Sequence, residues 1–270
     1  MKKYRSIKSK KIGLFFLFLW SISAFSQIAV DEIVEFKDLI KAENWTLSFE
    51  QNINKKWQEQ WFLDGKLAKV VNKSNGFLFS AGPKEGNDSH HAVLWTNDSF
   101  EGNVKVEFDF TKKDTMNKYV VIIYLQATGK GVTPYEKDIS KWNDLRKVPS
   151  MSTYFNNMNA LHISYAAFSN GKEYVRARRY PVTNELTFKD LVIDPSYDDL
   201  KGIFKTDVTY HITVLKTKEK LFFKVQGDDK DELFCWDLTL KEPIIEGRVG
   251  LRHMFARSAF YENFKIYSQK

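Results

Sequence analysis

Beyond Trp45 the chain alternates short apolar runs with turn residues. In Val104-Lys105-Val106-Glu107-Phe108-Asp109-Phe110 every second residue is apolar, which puts the valines and phenylalanines on one face of a strand and Lys105, Glu107 and Asp109 on the other. Runs at 76–80, 92–95, 119–127 and 160–168 predict further strands, and the series continues at 209–215, 220–226, 232–238, 248–254 and 260–267. Gly227-Asp228-Asp229 supplies a turn between two of them. Residues 31–42 space Ile33, Val34, Phe36, Leu39 and Ile40 irregularly, compatible with a short helix or a lead-in strand. No 3.6-residue period persists long enough to interleave helices with the strands. The expected fold is therefore all-β, a sandwich of two antiparallel sheets.

One stretch departs from this pattern. Residues 128–154 place Gly129, Gly131, Pro134 and Pro149 among charged residues and Trp142. The expectation is a long functional loop, with a helical turn in it, folding over one edge of the sandwich.

The N-terminus changes the reading of charge. Lys2, Lys3, Arg5, Lys8, Lys10 and Lys11 precede the apolar run 12–20 and then small residues up to Ser26, the order of a cleavable secretory signal peptide. The run is shorter than the roughly 20 apolar residues of a stable membrane span. The expected organisation is a signal peptide over 1–26 and one domain over 27–270, in the periplasm or secreted. The leader holds six of the 41 Lys and Arg residues and none of the 34 Asp and Glu, so the formal charge falls from +7 to +1 without it. A general polyanion surface for nucleic acid loses its main support. The single cysteine, Cys235, excludes an intramolecular disulfide and a cysteine zinc site.

Several residues stand out chemically. In a strand over 160–165, His162 shares a face with Ala160 and Ser164, while Leu161, Ile163 and Tyr165 point the other way. Tyr165 reaches His162 only through a bulge. His91, Val93 and Trp95 share a face, and Tyr174, Arg176 and Arg178 another. Paired guanidinium groups suit a carboxylate or sulfate. Arg252 alternates with Gly250 and Met254, and Arg257 falls in the following turn. Trp57, Trp61 and Trp142 offer faces for sugar rings or for core packing. Glu107 and Asp109 suit paired-carboxylate glycoside hydrolysis. The acidic turn at 228–232 lacks the spacing of a calcium loop, and His90-His91 lacks that of a zinc site. No metal or cofactor is expected.

Three segments, His91-Ala92-Val93-Leu94-Trp95, Asn159-Ala160-Leu161-His162-Ile163-Ser164-Tyr165 and Gly250-Leu251-Arg252-His253-Met254, resemble the YesU-like family of concanavalin A-like jelly rolls. Tyr210-His211-Ile212-Thr213-Val214 and the closing Tyr261-Glu262-Asn263-Phe264 resemble the wider superfamily and imply a structural His211. The resemblance implies breakdown of uronate polysaccharides, as in the related ulvan oligosaccharide dehydratase. On that basis His162, Tyr165 and His91 are candidate catalytic residues. Arg176, Arg178, Arg252, Asn159 and Trp142 are candidate contacts to an anionic oligosaccharide. A polysaccharide lyase and a noncatalytic carbohydrate-binding protein are the alternatives.

Overall fold

A period of two lets one face of each strand join an apolar layer while the other is solvated or covered, and that rule organises nearly everything beyond residue 44. The computed structural model describes residues 30–227 and 229–269 and divides into two compact units, Met1–Glu43 and Asn44–Lys270. In the first, residues 30–41 form a helix, α1. The proposed signal peptide at 1–26 lies outside the described residues.

In the second unit the strands are β1 (Thr46–Glu50), β2 (Trp61–Asp64), β3 (Lys69–Lys73), β4 (Gly76–Ser80), β5 (Ala92–Thr96), β6 (Phe100–Glu101), β7 (Asn103–Lys112) and β8 (Tyr119–Gly129). After a helix α2 (Met151–Asn157) come β9 (Met158–Ser169), β10 (Lys172–Tyr180), β11 (Val192–Leu200), β12 (Thr209–Lys216), β13 (Lys220–Gly227), β14 (Lys230–Asp237), β15 (Glu246–His253) and β16 (Ser258–Gln269). They build two antiparallel sheets. The first runs β14-β13-β12-β7-β16-β4-β3, and β1 pairs with the C-terminal half of β16. The second runs β11-β10-β9-β8-β15-β5-β2, and β6 pairs with the start of β15. Nearest neighbours in sequence are often far apart in the sheets, the connectivity of a jelly roll.

The main core lies between the sheets. Phe108, Phe110 and Phe264 meet Tyr165, Tyr261 and Trp61 there, all fully or almost fully buried. Burial of each such side chain contributes on the order of 1.5–3 kcal/mol. A second apolar cluster covers the outer face of the second sheet, with Val93, Trp95, Ile122 and Tyr124 beneath Trp142 and Tyr154. The segment expected to fold over an edge of the sandwich lies instead across this face. Its two helical pieces, the 3-10 segment Ile139–Arg146 and α2, pack on the sheet because their buried residues Ile139, Trp142, Arg146 and Tyr154 point down onto it. The second sheet is therefore covered on both sides.

Candidate functional site

The register of the second sheet draws chemistry-bearing side chains into two adjacent rows on its covered face. One row runs Arg178, His162, Tyr124, Gly250 and Trp95 across β10, β9, β8, β15 and β5. The next runs Arg176, Ser164, Ile122, Arg252, Val93 and finally Asp64 on β2. Tyr180 sits beside Ala160 at the end of β10. A β-bulge between Tyr174 and Arg176 sets the offset that brings Arg178 opposite His162.

His162 is completely buried, as the alternation with Ala160 and Ser164 requires. Its Nε2 lies 3.5 Å from both Arg178 Nη1 and Ser164 Oγ, the outer limit of a hydrogen bond, and its Nδ1 has no protein partner. Neither contact is close enough to fix the tautomer. Burial and then the charge of Arg178 hold the imidazole well below its ordinary pKa, so the ring is neutral and one nitrogen lone pair is free to accept a proton. The rings of Tyr180 and Tyr124 stand edge-on to it, at 4.9 and 5.8 Å between centroids. Burial raises the pKa of both phenols, so both are protonated at neutral pH.

Arg252 is fully buried. Its Nη2 donates to the Pro149 carbonyl at 2.6 Å and lies 3.0 Å from His91 Nδ1, and its guanidinium sits over the Tyr154 ring at 4.6 Å. No carboxylate lies within ion-pair distance of it or of Arg178 among the described residues. His91 is 2 % exposed, and burial followed by the Arg252 charge lowers its pKa to about 4. Since Nδ1 of a neutral His91 accepts from Arg252, its Nε2 carries the proton.

Among the described residues, seven of the eleven buried side-chain polar atoms with no hydrogen-bond partner within 3.5 Å lie on this one face. They are His162 Nδ1, Arg178 Nε, the Tyr124 and Tyr180 hydroxyls, Arg252 Nε and Nη1, and His91 Nε2. Buried polar groups are almost always satisfied, so such a concentration makes this face the candidate site.

The frame around these groups hangs on Asp64, which the sequence did not single out. This fully buried carboxylate accepts from Trp95 Nε1 at 2.8 Å, Arg146 Nε at 2.6 Å, the Tyr154 hydroxyl at 2.8 Å and Asn143 Nδ2 at 2.6 Å. It thereby ties β2 and β5 to the segment crossing above them. Gly250 lets the Trp95 indole lie against the sheet, because a Cβ there would come within 2.4 Å of the ring.

Other predicted site residues lie elsewhere. Tyr165 stays regular in its strand and points into the inter-sheet core, where its hydroxyl meets Tyr261 at 3.3 Å, so it is on the opposite face from His162. Trp142 is buried under its own segment, with Nε1 on the Glu136 carbonyl and Arg146 over its ring, and offers no free face to a sugar. Trp61 is core and Trp57 packs against it. Asn159 faces a surface cleft rather than His162. Arg176 belongs to the right row but is spent on Ser196 and Asp198, each at 2.6 Å. Arg257 is a buried structural cation, bonded to Asp114 at 3.0 Å and to the Ala166 carbonyl at 2.6 Å. Glu107 and Asp109 sit on the outer face of the other sheet, occupied by Lys105, His211 and Asn263. Tyr124 and Tyr180 are the groups that periodicity missed. Each sits in a strand at the spacing that serves His162, a signal visible only once the strands are paired.

With this geometry in place, comparison with known proteins fixes the lineage. The family described as a domain of unknown function, DUF1961, matches residues 47–266. The chain belongs to that family. No curated protein matches it. Among solved structures, this DUF1961 chain is similar to a Bacillus subtilis protein of unknown function with a galectin-like fold, at TM-score 0.63 and 16% identity over 84% of this chain and 100% of that one. A legume lectin-like domain from Entamoeba histolytica aligns at TM-score 0.52 and 7% identity, over 79% of this chain and 92% of that one. The Emp47p carbohydrate recognition domain aligns at TM-score 0.52 and 14% identity, covering 85% and 99%. At these identities the likeness establishes the lectin-like jelly roll of the DUF1961 chain and nothing of its ligand.

Proposed function

We propose that the protein is an exported carbohydrate-active enzyme that eliminates water from a terminal uronic acid of an oligosaccharide. The observation that carries this reading is the pair of buried guanidinium groups without carboxylate partners, Arg178 and Arg252, beside a neutral His162. Forked donors of this kind hold a uronate carboxylate and draw off charge as the C5 proton becomes acidic. His162 takes that proton. Tyr124 or Tyr180, each a protonated phenol, delivers one to the departing oxygen at C4. The C5–H and C4–O bonds break, the C4=C5 bond forms, and water leaves. The same chemistry with a sugar as leaving group is a lyase.

Sugar binding without chemistry is the second reading, favoured by the likeness to lectin-like domains. Incubation with oligosaccharides bearing a saturated terminal uronic acid separates the two. Loss of one water with new ultraviolet absorbance of an unsaturated uronate supports the dehydratase, and shortened products with that absorbance make it a lyase. Binding with unchanged mass defeats both reactions and supports sugar binding without chemistry.

A further inference from the structure

A second feature lies where β8 and β10 end and β9 begins, beside residues 242–246. Three contiguous hollows form one open groove there. The largest, about 340 Å³, is lined by Asn159, Thr128, Lys130 and Pro181, and it shares Glu242 and Pro243 with a small hollow at the sheet edge. A third, about 300 Å³, continues it past Lys137 and Glu246 to Arg248.

The charge along this groove is lopsided. Arg179, Lys216, Lys218 and Lys241 surround the edge hollow, and Lys130, Lys137 and Arg248 follow along the cleft. Only Asp138, Glu242 and Glu246 oppose them. Arg248 is matched by Asp138 at 2.9 Å and Lys137 by Glu246 at 3.2 Å, while Arg179 reaches the exposed Glu242 only at 3.9 Å. Lys130, Lys216, Lys218 and Lys241 have no carboxylate partner among the described residues. Against a charge of +1 for the whole chain beyond residue 26, this is a strong local concentration.

Lys216 is the most telling member. It is 2 % exposed, and its Nζ donates to the Ile244 carbonyl. Burial, then the neighbouring Arg179, brings its pKa down to about 8. Burying an ammonium without a counter-charge is costly, and an anion seated beside it would offset that cost.

We infer that this groove binds a strand of an acidic polysaccharide, its lysines meeting carboxylate or sulfate groups along the strand. The amide of Asn159 and the hydroxyl of Thr128 suit sugar hydroxyls, and Pro181, Pro243 and Ile245 give apolar patches for pyranose faces. No aromatic side chain lines the groove among the described residues, so it lacks the platforms on which single-stranded nucleic acid stacks its bases. The inference stands apart from the elimination chemistry, because none of His162, Arg178, Arg252, Tyr124 and Tyr180 lines the groove.

The test is calorimetric titration of the full chain with dextran sulfate, neutral dextran and oligo-dT. Dextran sulfate is expected to bind, more weakly as salt rises, and neutral dextran not to bind. The triple variant Lys130→Ser, Lys218→Ser, Lys241→Ser, at partly or fully exposed positions, is expected to weaken dextran sulfate at least tenfold, while His162→Ala leaves it unchanged. Unchanged affinity in the triple variant overturns the inference. Oligo-dT binding as tightly as dextran sulfate, with the same lysine dependence, overturns the saccharide assignment. Elimination activity on short oligosaccharides is expected to survive the triple substitution, which keeps failure of the groove distinct from failure of the proposed reaction.

Discussion

Arg178 and His162 face each other across neighbouring strands, with guanidinium Nη1 3.5 Å from imidazole Nε2. A permanent cation at that distance opposes protonation of the ring, adding to the effect of burial. Replacing Arg178 with Ala removes the charge and raises the His162 pKa. The imidazole resonances of His162, followed by NMR against pH, should titrate higher in the variant than in the wild type. The acid limb of any activity should move in the same direction, toward higher pH. A downward or absent shift contradicts the coupling.

His162→Ala should lower elimination by about 10²- to 10⁴-fold, the usual contribution of a general base. Tyr124→Phe and Tyr180→Phe separate the acid from its neighbour: the one that donates to the leaving oxygen should lose a comparable factor in kcat, the other little. Steady-state kinetics on one substrate decides, and retention of near-normal rates by His162→Ala ends its assignment as base.

These three residues show how far the sequence was legible. Strand positions from β7 to β10 and β12 to β16 follow from alternation, and His162 was placed on the correct face from its neighbours alone. Tyr165 was misjudged as a possible partner of His162 because a family motif carries both, whereas a regular strand sends them to opposite faces. β11 was hidden because Val192–Leu200 carries Asp194, Pro195, Asp198 and Asp199, the composition of a loop, and sits at a sheet edge where such residues are tolerated. Asp64 and Tyr124 were unreadable for another reason. Their importance comes from partners 31 to 90 residues away for Asp64, and on other strands for Tyr124.

Asp64→Ala strips the only carboxylate among the described residues from the fully buried Arg146 and leaves the Trp95 and Tyr154 donors unmatched. Leaving a buried charge uncompensated costs about 3–5 kcal/mol. Urea unfolding should show a loss of that size, and a loss under 1 kcal/mol would show that Asp64 is not the anchor described.

Gly250→Ala puts a methyl group 2.4 Å from the Trp95 ring. Overpacking of this kind costs about 1–3 kcal/mol. Denaturation should register it, and a red shift of the tryptophan emission should accompany displacement of the indole.

Stability should fall on acidification below about pH 6.5. His253, buried in the inter-sheet core, has its pKa lowered to about 3 by burial and then by Arg257, and its Nε2 lies 2.8 Å from the Tyr261 hydroxyl. In the unfolded chain this histidine takes up a proton near pH 6.5, while in the folded protein it stays neutral down to about pH 3. The unfolded state therefore binds more protons across that window, and stability drops as pH falls through it, by a few kcal/mol from this residue alone, on the order set by 1.36 kcal/mol per unit. Thermal melts between pH 7 and 4 should decline, and less steeply for His253→Phe.

The four donors that meet on Asp64 come from β5, from the 3-10 segment and from α2. Two short helical pieces that could not persist in isolation are thus fastened at one point. Their amide protons should exchange together rather than fray one turn at a time, because lifting either piece means breaking bonds to the same buried carboxylate. The cover over the second sheet is in this sense a single plate, pinned chiefly by one buried carboxylate and again where Arg252 holds the Pro149 carbonyl.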